Sequence, residues 1–181
     1  MSEDEVKGRN LIAYGRFSPG WNDDEDDHAW KHDGVGNVGT FTDPEFGYFL
    51  MMNTLATVTQ RVEAPVFTAA QMAGVTWRIA FMYENVGNGG NSKVVLRTTS
   101  GKQTAIDLSG KPPDQPQADW NPFPYLTIEG MTSADRDLTV DLHGSDLAGS
   151  SGLRITDIDV DVRLVPLVLE KIQLDDRVYE P

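Results

Sequence analysis

The sequence predicts an all-β protein, an antiparallel sandwich or barrel of about eight short strands. Two alternating segments and a chain punctuated by turn residues carry that expectation. In Val75-Thr76-Trp77-Arg78-Ile79-Ala80-Phe81-Met82-Tyr83 every odd-numbered residue is large and apolar, so one face of an extended segment belongs to a core. In Ile158-Asp159-Val160-Asp161-Val162-Arg163-Leu164 the intervening residues are charged, the pattern of an antiparallel strand with one wet face. The 17 Gly and 10 Pro of the 181 residues fall between such segments rather than inside long helical periods.

The remaining strands follow the same logic more weakly. In chain order they are Asn10 to Tyr14, Thr57 to Val62, Lys93 to Thr98, Tyr125 to Glu129, and Leu138 to Leu142, where Leu138, Val140 and Leu142 are in phase. Turn clusters separate them at Gly87 to Asn91, Ser100-Gly101, Ser109-Gly110 and Gly149 to Gly152, and only Ala69-Ala70-Gln71-Met72 reads as a helical turn. The acidic run Asp23 to Asp27 and the proline-rich stretch Pro112 to Pro124 read as surface loops. Pro166 cannot donate to a ladder and closes the last strand. The expected organisation is an acidic extension over 1–9, one sandwich over 10–165 and a C-terminal arm over 166–181.

Charge and motif content narrow the function classes. There are 15 Lys and Arg against 28 Asp and Glu, a formal charge of -13, and no basic stripe, so nucleic acid is excluded as the expected partner. With no Cys there is no disulfide framework, thiolate metal site or Cys nucleophile. No apolar run is long enough for membrane insertion, and the acidic start Met1 to Val6 does not read as a leader. Gly34-Val35-Gly36-Asn37-Val38-Gly39 has dinucleotide-loop spacing, but it follows a charged segment and precedes Pro44, so it reads as a flexible loop. His28 and His32 have metal spacing only on a helix, which the flanking Gly and Asp oppose. His143 reads as a wet-face residue at a strand end, and no nucleophile elbow, phosphate loop or zincin motif is present. The expectation is a protein that is not an enzyme.

Both ends of the chain resemble the jelly-roll carbohydrate-binding-module superfamily, also called galactose-binding-domain-like. The opening Asn10-Leu11-Ile12-Ala13-Tyr14-Gly15-Arg16-Phe17-Ser18-Pro19-Gly20-Trp21 resembles that group's Asn-Leu-aliphatic start followed by Gly-x-Phe and Trp. The closing Ile155 to Val162 resembles its last strand, and Val75 to Tyr83 with Val94-Val95-Leu96-Arg97 its central hairpin. The resemblance implies a jelly roll and, in such modules, a structural calcium. Asp157 and Asp159 match the acidic positions of the last strand, while Ser18 stands where an acidic residue commonly follows the Gly-x-Phe.

Aromatic residues are the expected binding groups. Trp77, Phe81 and Tyr83 are in phase with a core face. Trp120, in a proline-stiffened loop, either covers the sandwich end or recognises a sugar or partner chain, and Phe123, Tyr125 and Trp30 join it as candidates. In the arm, Leu167, Leu169, Ile172 and Leu174 are apolar groups that a closed sandwich has no room for, which suits docking on another subunit. The functional expectation is therefore a structural protein of a bacteriophage virion surface, as capsid decoration or in the tail. It would be made in the host cytoplasm and assembled as a homo-oligomer or within a larger assembly. The alternative is an extracellular module binding a cell-surface glycan.

Overall fold

The two alternating segments pair with each other at the heart of a sheet. The computed structural model describes residues 10–23, 25–53, 55–63, 67, 68, 71, 74–85, 92–108, 120–132, 134–144 and 153–164, with the backbone alone for Asn85, Asn121, Phe123, Pro124, Tyr125 and Leu164. Ten strands form: β1 (Lys31–His32), β2 (Val38–Asp43), β3 (Gly47–Met52), β4 (Thr57–Glu63), β5 (Val75–Asn85), β6 (Lys93–Thr98), β7 (Gln103–Asp107), β8 (Asn121–Ile128), β9 (Asp137–His143) and β10 (Leu153–Leu164). They build two antiparallel five-stranded sheets, β1-β4-β9-β6-β7 and β2-β3-β10-β5-β8. The β-sandwich expected from the alternation is present, with ten strands where about eight were legible.

Side chains of both inner faces meet in one core. Trp77, Ile79 and Phe81 of β5 face Leu138, Val140 and Leu142 of β9 and Val94 and Leu96 of β6, all buried. β10 pairs with β5 from Leu153↔Asn85 to Leu164↔Val75, and the register shifts between Thr156 and Asp159, where Asp157 takes φ 52°. That bulge resets the alternation, so Leu153 and Ile155 before it and Ile158 and Val160 after it all point inward.

Asn10 to Tyr14 is not a strand, which corrects the sequence expectation. Side-chain amides replace the ladder there. Asn10 Oδ1 accepts from the amides of Ile12 (3.1 Å) and Val160 (3.0 Å), and its Nδ2 donates to the Ile158 carbonyl (3.1 Å). Buried Gln60 accepts from the Ala13 amide (2.9 Å) and donates to its carbonyl (3.0 Å). Tyr14 and Phe17, both at φ 50°, then turn the chain so that Gly15 lies against the β10 bulge. The Ile158 amide donates to the Gly15 carbonyl at 2.9 Å, and a Cβ on Gly15 would sit 2.2 Å from the Ile158 oxygen.

Trp30 is fully buried, its ring 5.4 Å from that of Phe17, which in turn meets Trp21 at 5.8 Å. Its indole donates to the Tyr14 carbonyl at 3.3 Å. Trp30 is thus a core residue under the N-terminal turn, a correction to its expected place on a binding surface. Extension 1–9 and arm 166–181 lie outside the described residues. Among the described residues no helix is long and apolar enough to cross a membrane.

Because the clash at Gly15 is with backbone, Gly15→Ala is expected to destabilise the sandwich by roughly 2–4 kcal/mol in chemical denaturation. An unchanged midpoint would mean that the turn relaxes freely and does not depend on this approach.

Candidate functional site

A second aromatic cluster lies outside the core, on the outer face of the β2-β3-β10-β5-β8 sheet. In β3, Leu50 and Met52 enter the core, so Phe49 and Met51 take the opposite face. The register sets Phe41 beside Phe49 and Arg154 beside Met51 and Glu84. Phe49 is covered from three sides: the Phe41 ring stacks on it at 5.8 Å, Trp120 meets it edge-on at 5.5 Å, and the Arg154 guanidinium carbon stands 5.6 Å from its centroid. Trp120 also touches Phe46 at 5.4 Å. Phe41 keeps 48% of its surface exposed. Gly39 leaves room for it, since a Cβ there would lie 3.3 Å from the Phe41 ring.

Polar groups hold this cluster in place. The hairpin turn Pro44-Glu45-Phe46 is tied by Asp43, whose Oδ1 accepts from the amides of Glu45 (2.8 Å) and Phe46 (3.1 Å). Its Oδ2 accepts from the Trp120 indole at 3.3 Å. These donors, the two amides first, hold the Asp43 carboxyl below the usual carboxylate range. Glu84 is buried and accepts from Arg154 Nη1 at 3.0 Å. Arg154 Nε is one of three buried side-chain polar atoms without a hydrogen-bond partner among the described residues; the others, Trp77 Nε1 and Ser92 Oγ, belong to buried residues of the interior. The side chain of Arg154 remains partly exposed, so its guanidinium beside half-open rings offers donors and an apolar face together.

The outer face of the other sheet has different chemistry. Asp141 of β9 is buried between its neighbours, accepting from Thr59 Oγ1 at 2.9 Å and from Arg97. His143 is half-buried at the strand end, with Nδ1 3.3 Å from Thr57 Oγ1. Burial, and after it Lys93, pushes its pKa below the ordinary histidine value. Here the polar groups are tied to one another, and among the described residues no Phe, Tyr or Trp ring joins them. A cleft of about 320 Å³ lies nearby between Asn10 to Ala13, His28 and the Gln60 to Glu63 end of β4.

The acidic positions of β10 have separate surroundings. Asp157 pairs with Arg16 at 2.8 Å, and Asp161 with Arg78. Asp159 is pushed above the usual carboxylate range by desolvation and then by Asp161. Among the described residues no group of three or more His, Cys, Asp or Glu is placed to hold a metal ion.

Of the residues singled out from sequence, Trp120 stands in the outer cluster. Phe123 and Tyr125 lie on β8 with side chains outside the described set, as is the whole of Leu167, Leu169, Ile172 and Leu174. Phe41, Phe46, Phe49, Glu84 and Arg154 were missed. Gly47-Tyr48-Phe49-Leu50-Met51-Met52 is a run apolar on both faces, the mark of a strand covered on both sides, and that signal was available.

No family model matches the chain, and no curated protein does. Solved structures match its fold. The enzymatically active domain of tailspike protein 4 from bacteriophage CBA120 is 13% identical with a TM-score of 0.59, over 85% of this chain and 21% of that one. The carbohydrate-binding module TmCBM61, solved in complex with β-1,4-galactotriose, is 16% identical with a TM-score of 0.50, over 87% of this chain and 99% of the module. A cyclase from Fischerella sp. TAU is 12% identical with a TM-score of 0.57, over 75% and 85% of the two chains. At these identities the likeness is one of jelly-roll-like architecture. This chain spans about a fifth of the tailspike chain.

His143 should titrate below the ordinary histidine range when followed by NMR, and Lys93→Ala should move it upward. Since its folded pKa lies below the unfolded one, the protonated ring is disfavoured in the fold, and stability should fall as pH drops through and below the ordinary histidine value. A titration at the ordinary value in both proteins would contradict this.

Proposed function

We propose that the chain is a carbohydrate-binding module whose ligand surface is the cluster of Phe41, Phe46, Phe49 and Trp120 with Arg154 and Glu84. The observation that carries this reading is the cluster itself: four rings gathered outside the core, one of them half exposed, beside the partly exposed guanidinium of Arg154. A pyranose presents apolar C–H faces that lie on aromatic rings, and hydroxyls that pair with an Arg donor and a carboxylate acceptor. The fold likeness to a module solved with galactotriose supports the same class. Binding without turnover fits best. Glycoside hydrolysis needs two carboxyl groups free to trade a proton or attack, whereas Asp43 is committed to three donors and Glu84 to Arg154.

A second reading, a component of a bacteriophage virion surface, is favoured by the likeness to a tailspike domain. It is compatible with the first, because sugar recognition is one task of such a surface.

Against a panel of soluble polysaccharides, affinity electrophoresis should find at least one that retards the protein. Trp120→Ala and Phe41→Ala should each weaken that binding about tenfold or more, with little loss of melting temperature. Trp30→Ala, from the core, should instead cost roughly 3–5 kcal/mol of stability. No retardation on any polysaccharide, or unchanged binding in both cluster variants, would overturn this assignment.

A further inference from the structure

A strand edge that faces solvent is a template for another strand, and proteins protect such edges with short strands, charges or prolines. Three of the four sheet edges here carry that protection. β1 is two residues long, β7 is bracketed by Lys102 and Asp107, and β8 contains Pro122 and Pro124. The fourth edge, β2, reads Val38-Gly39-Thr40-Phe41-Thr42-Asp43, six residues in unbroken register with β3 and without proline, lysine or bulge. Among the described residues no backbone hydrogen bond reaches β2 from its outer side.

The hairpin that carries this edge is depleted in charge. From Gly34 to Met52, the run into β2 and through β3, the only charged residues are Asp43 and Glu45, in a chain where charged residues make up 24%. Interface centres have that composition. Of the four exposed large apolar side chains among the described residues, two lie on this hairpin: Phe41, 48% exposed on β2, and Tyr48, 40% exposed and opposite Thr42 on β3.

We infer that the β2 edge is a dimer interface, on which β2 of a second copy of this chain pairs antiparallel across a two-fold axis to join two five-stranded sheets into one. The strand is its own antiparallel complement. An axis at Phe41 sets Phe41 opposite Phe41, Thr40 opposite Thr42 and Asp43 opposite Gly39, so each cross-strand pair is compatible. The two Asp43 carboxylates then stand about 14 Å apart along the strands, beyond a physiological Debye length of about 8 Å. On the outer face the Phe49-Phe41 stack continues through the axis into the partner's stack. This inference does not depend on sugar binding, although it would set two aromatic clusters side by side.

The size of the contact sets its strength. A six-residue strand is about 20 Å long and with its flanking side chains covers on the order of 500 Å² per copy, below the roughly 800 Å² of a standard interface. Each copy also carries a formal charge of -13, so the copies repel at low salt. The dimer should be concentration-dependent, in the micromolar range, and tighter at high salt.

Analytical ultracentrifugation of the full chain from about 1 µM to 1 mM, in low and high salt, tests this. The expected result is a mass rising from one chain to two, at lower concentration in high salt. Phe41→Lys and Thr42→Lys should each raise the dissociation constant at least tenfold, and Ala105→Lys on the β7 edge should leave it unchanged. Thr42 makes no contact in the aromatic cluster, so its effect separates pairing from loss of the ring. A single-chain mass at every concentration would overturn the inference. So would an assembly indifferent to both β2 substitutions, or one weakened equally by Ala105→Lys.

Discussion

The fold depends on how the two edges of β10 are satisfied. On one side β10 pairs with β5 along its whole length, which fixes the centre of the sheet. On the other side β3 reaches only Leu153 to Ile155. Past the bulge the backbone of Ile158 and Val160 would be left without partners in a buried place, a costly arrangement. The N-terminal segment fills that gap. Asn10 bonds to both residues through its side chain, Leu11 donates to the Val160 carbonyl at 2.8 Å, and Gly15 accepts from Ile158. The bulge is where β3 hands the edge over to the N-terminal turn. Gly15 is required because that handover brings two backbones together, and Trp30 and Phe17 are buried beneath it.

The same bulge divides the outer face of the sheet by chemistry. Beyond it β10 shows Asp159, Asp161 and Arg163 outward, and Arg78 of β5 binds Asp161 beside them, an ion-paired surface. Before it β10 shows Arg154, which turns away from those acids toward Glu84 and the Phe49 ring. A strand without the bulge would keep one alternation throughout, and Arg154 would then share a face with Ile158 and Val160. Its outward place beside the aromatic cluster therefore depends on that irregularity.

Much of the sandwich was legible because alternation survives wherever one face is wet. β4, β5, β9 and the end of β10 keep that pattern, and their inward residues are the ones the period selects, while in β6 Val94, Val95 and Leu96 are all buried. The bulge itself can be read in Ile155-Thr156-Asp157-Ile158, where two polar residues separate inward ones instead of one. β2 and β3 escaped because their outer face is covered by rings, which erases the contrast on which the period relies. The N-terminal segment reads as a strand, but Asn10 and Gln60 satisfy its backbone from side chains, a substitution that propensity does not register. Trp30 sits among charged neighbours, yet the extended chain at β1 alternates faces, and the ring goes inward while Lys31 stays with the acidic loop, donating to the Asp23 and Asp26 carbonyls. Trp120 could be singled out from its proline-rich setting. Its partners Phe46 and Phe49 are more than seventy positions away, and only the fold brings them together.

The outer cluster resembles a small core that has been left incomplete. Phe49 is as well covered as many interior residues, so the cluster is ordered and its rings hold fixed places. Were its purpose only to stiffen the β2-β3 hairpin, Asp43 would suffice, since it alone ties the turn and the Trp120 indole. A purely structural cluster would also be expected to cover Phe41 and to give Arg154 Nε an acceptor, because an exposed ring and an unpaired buried donor both cost free energy. Both costs fall around the same Phe49 ring, and on the same side of the sheet as the charge-poor β2 edge. One surface that leaves apolar area and a partly exposed guanidinium together is matched to a partner carrying both an apolar face and acceptors, and a sugar ring and a second aromatic stack each supply part of that match.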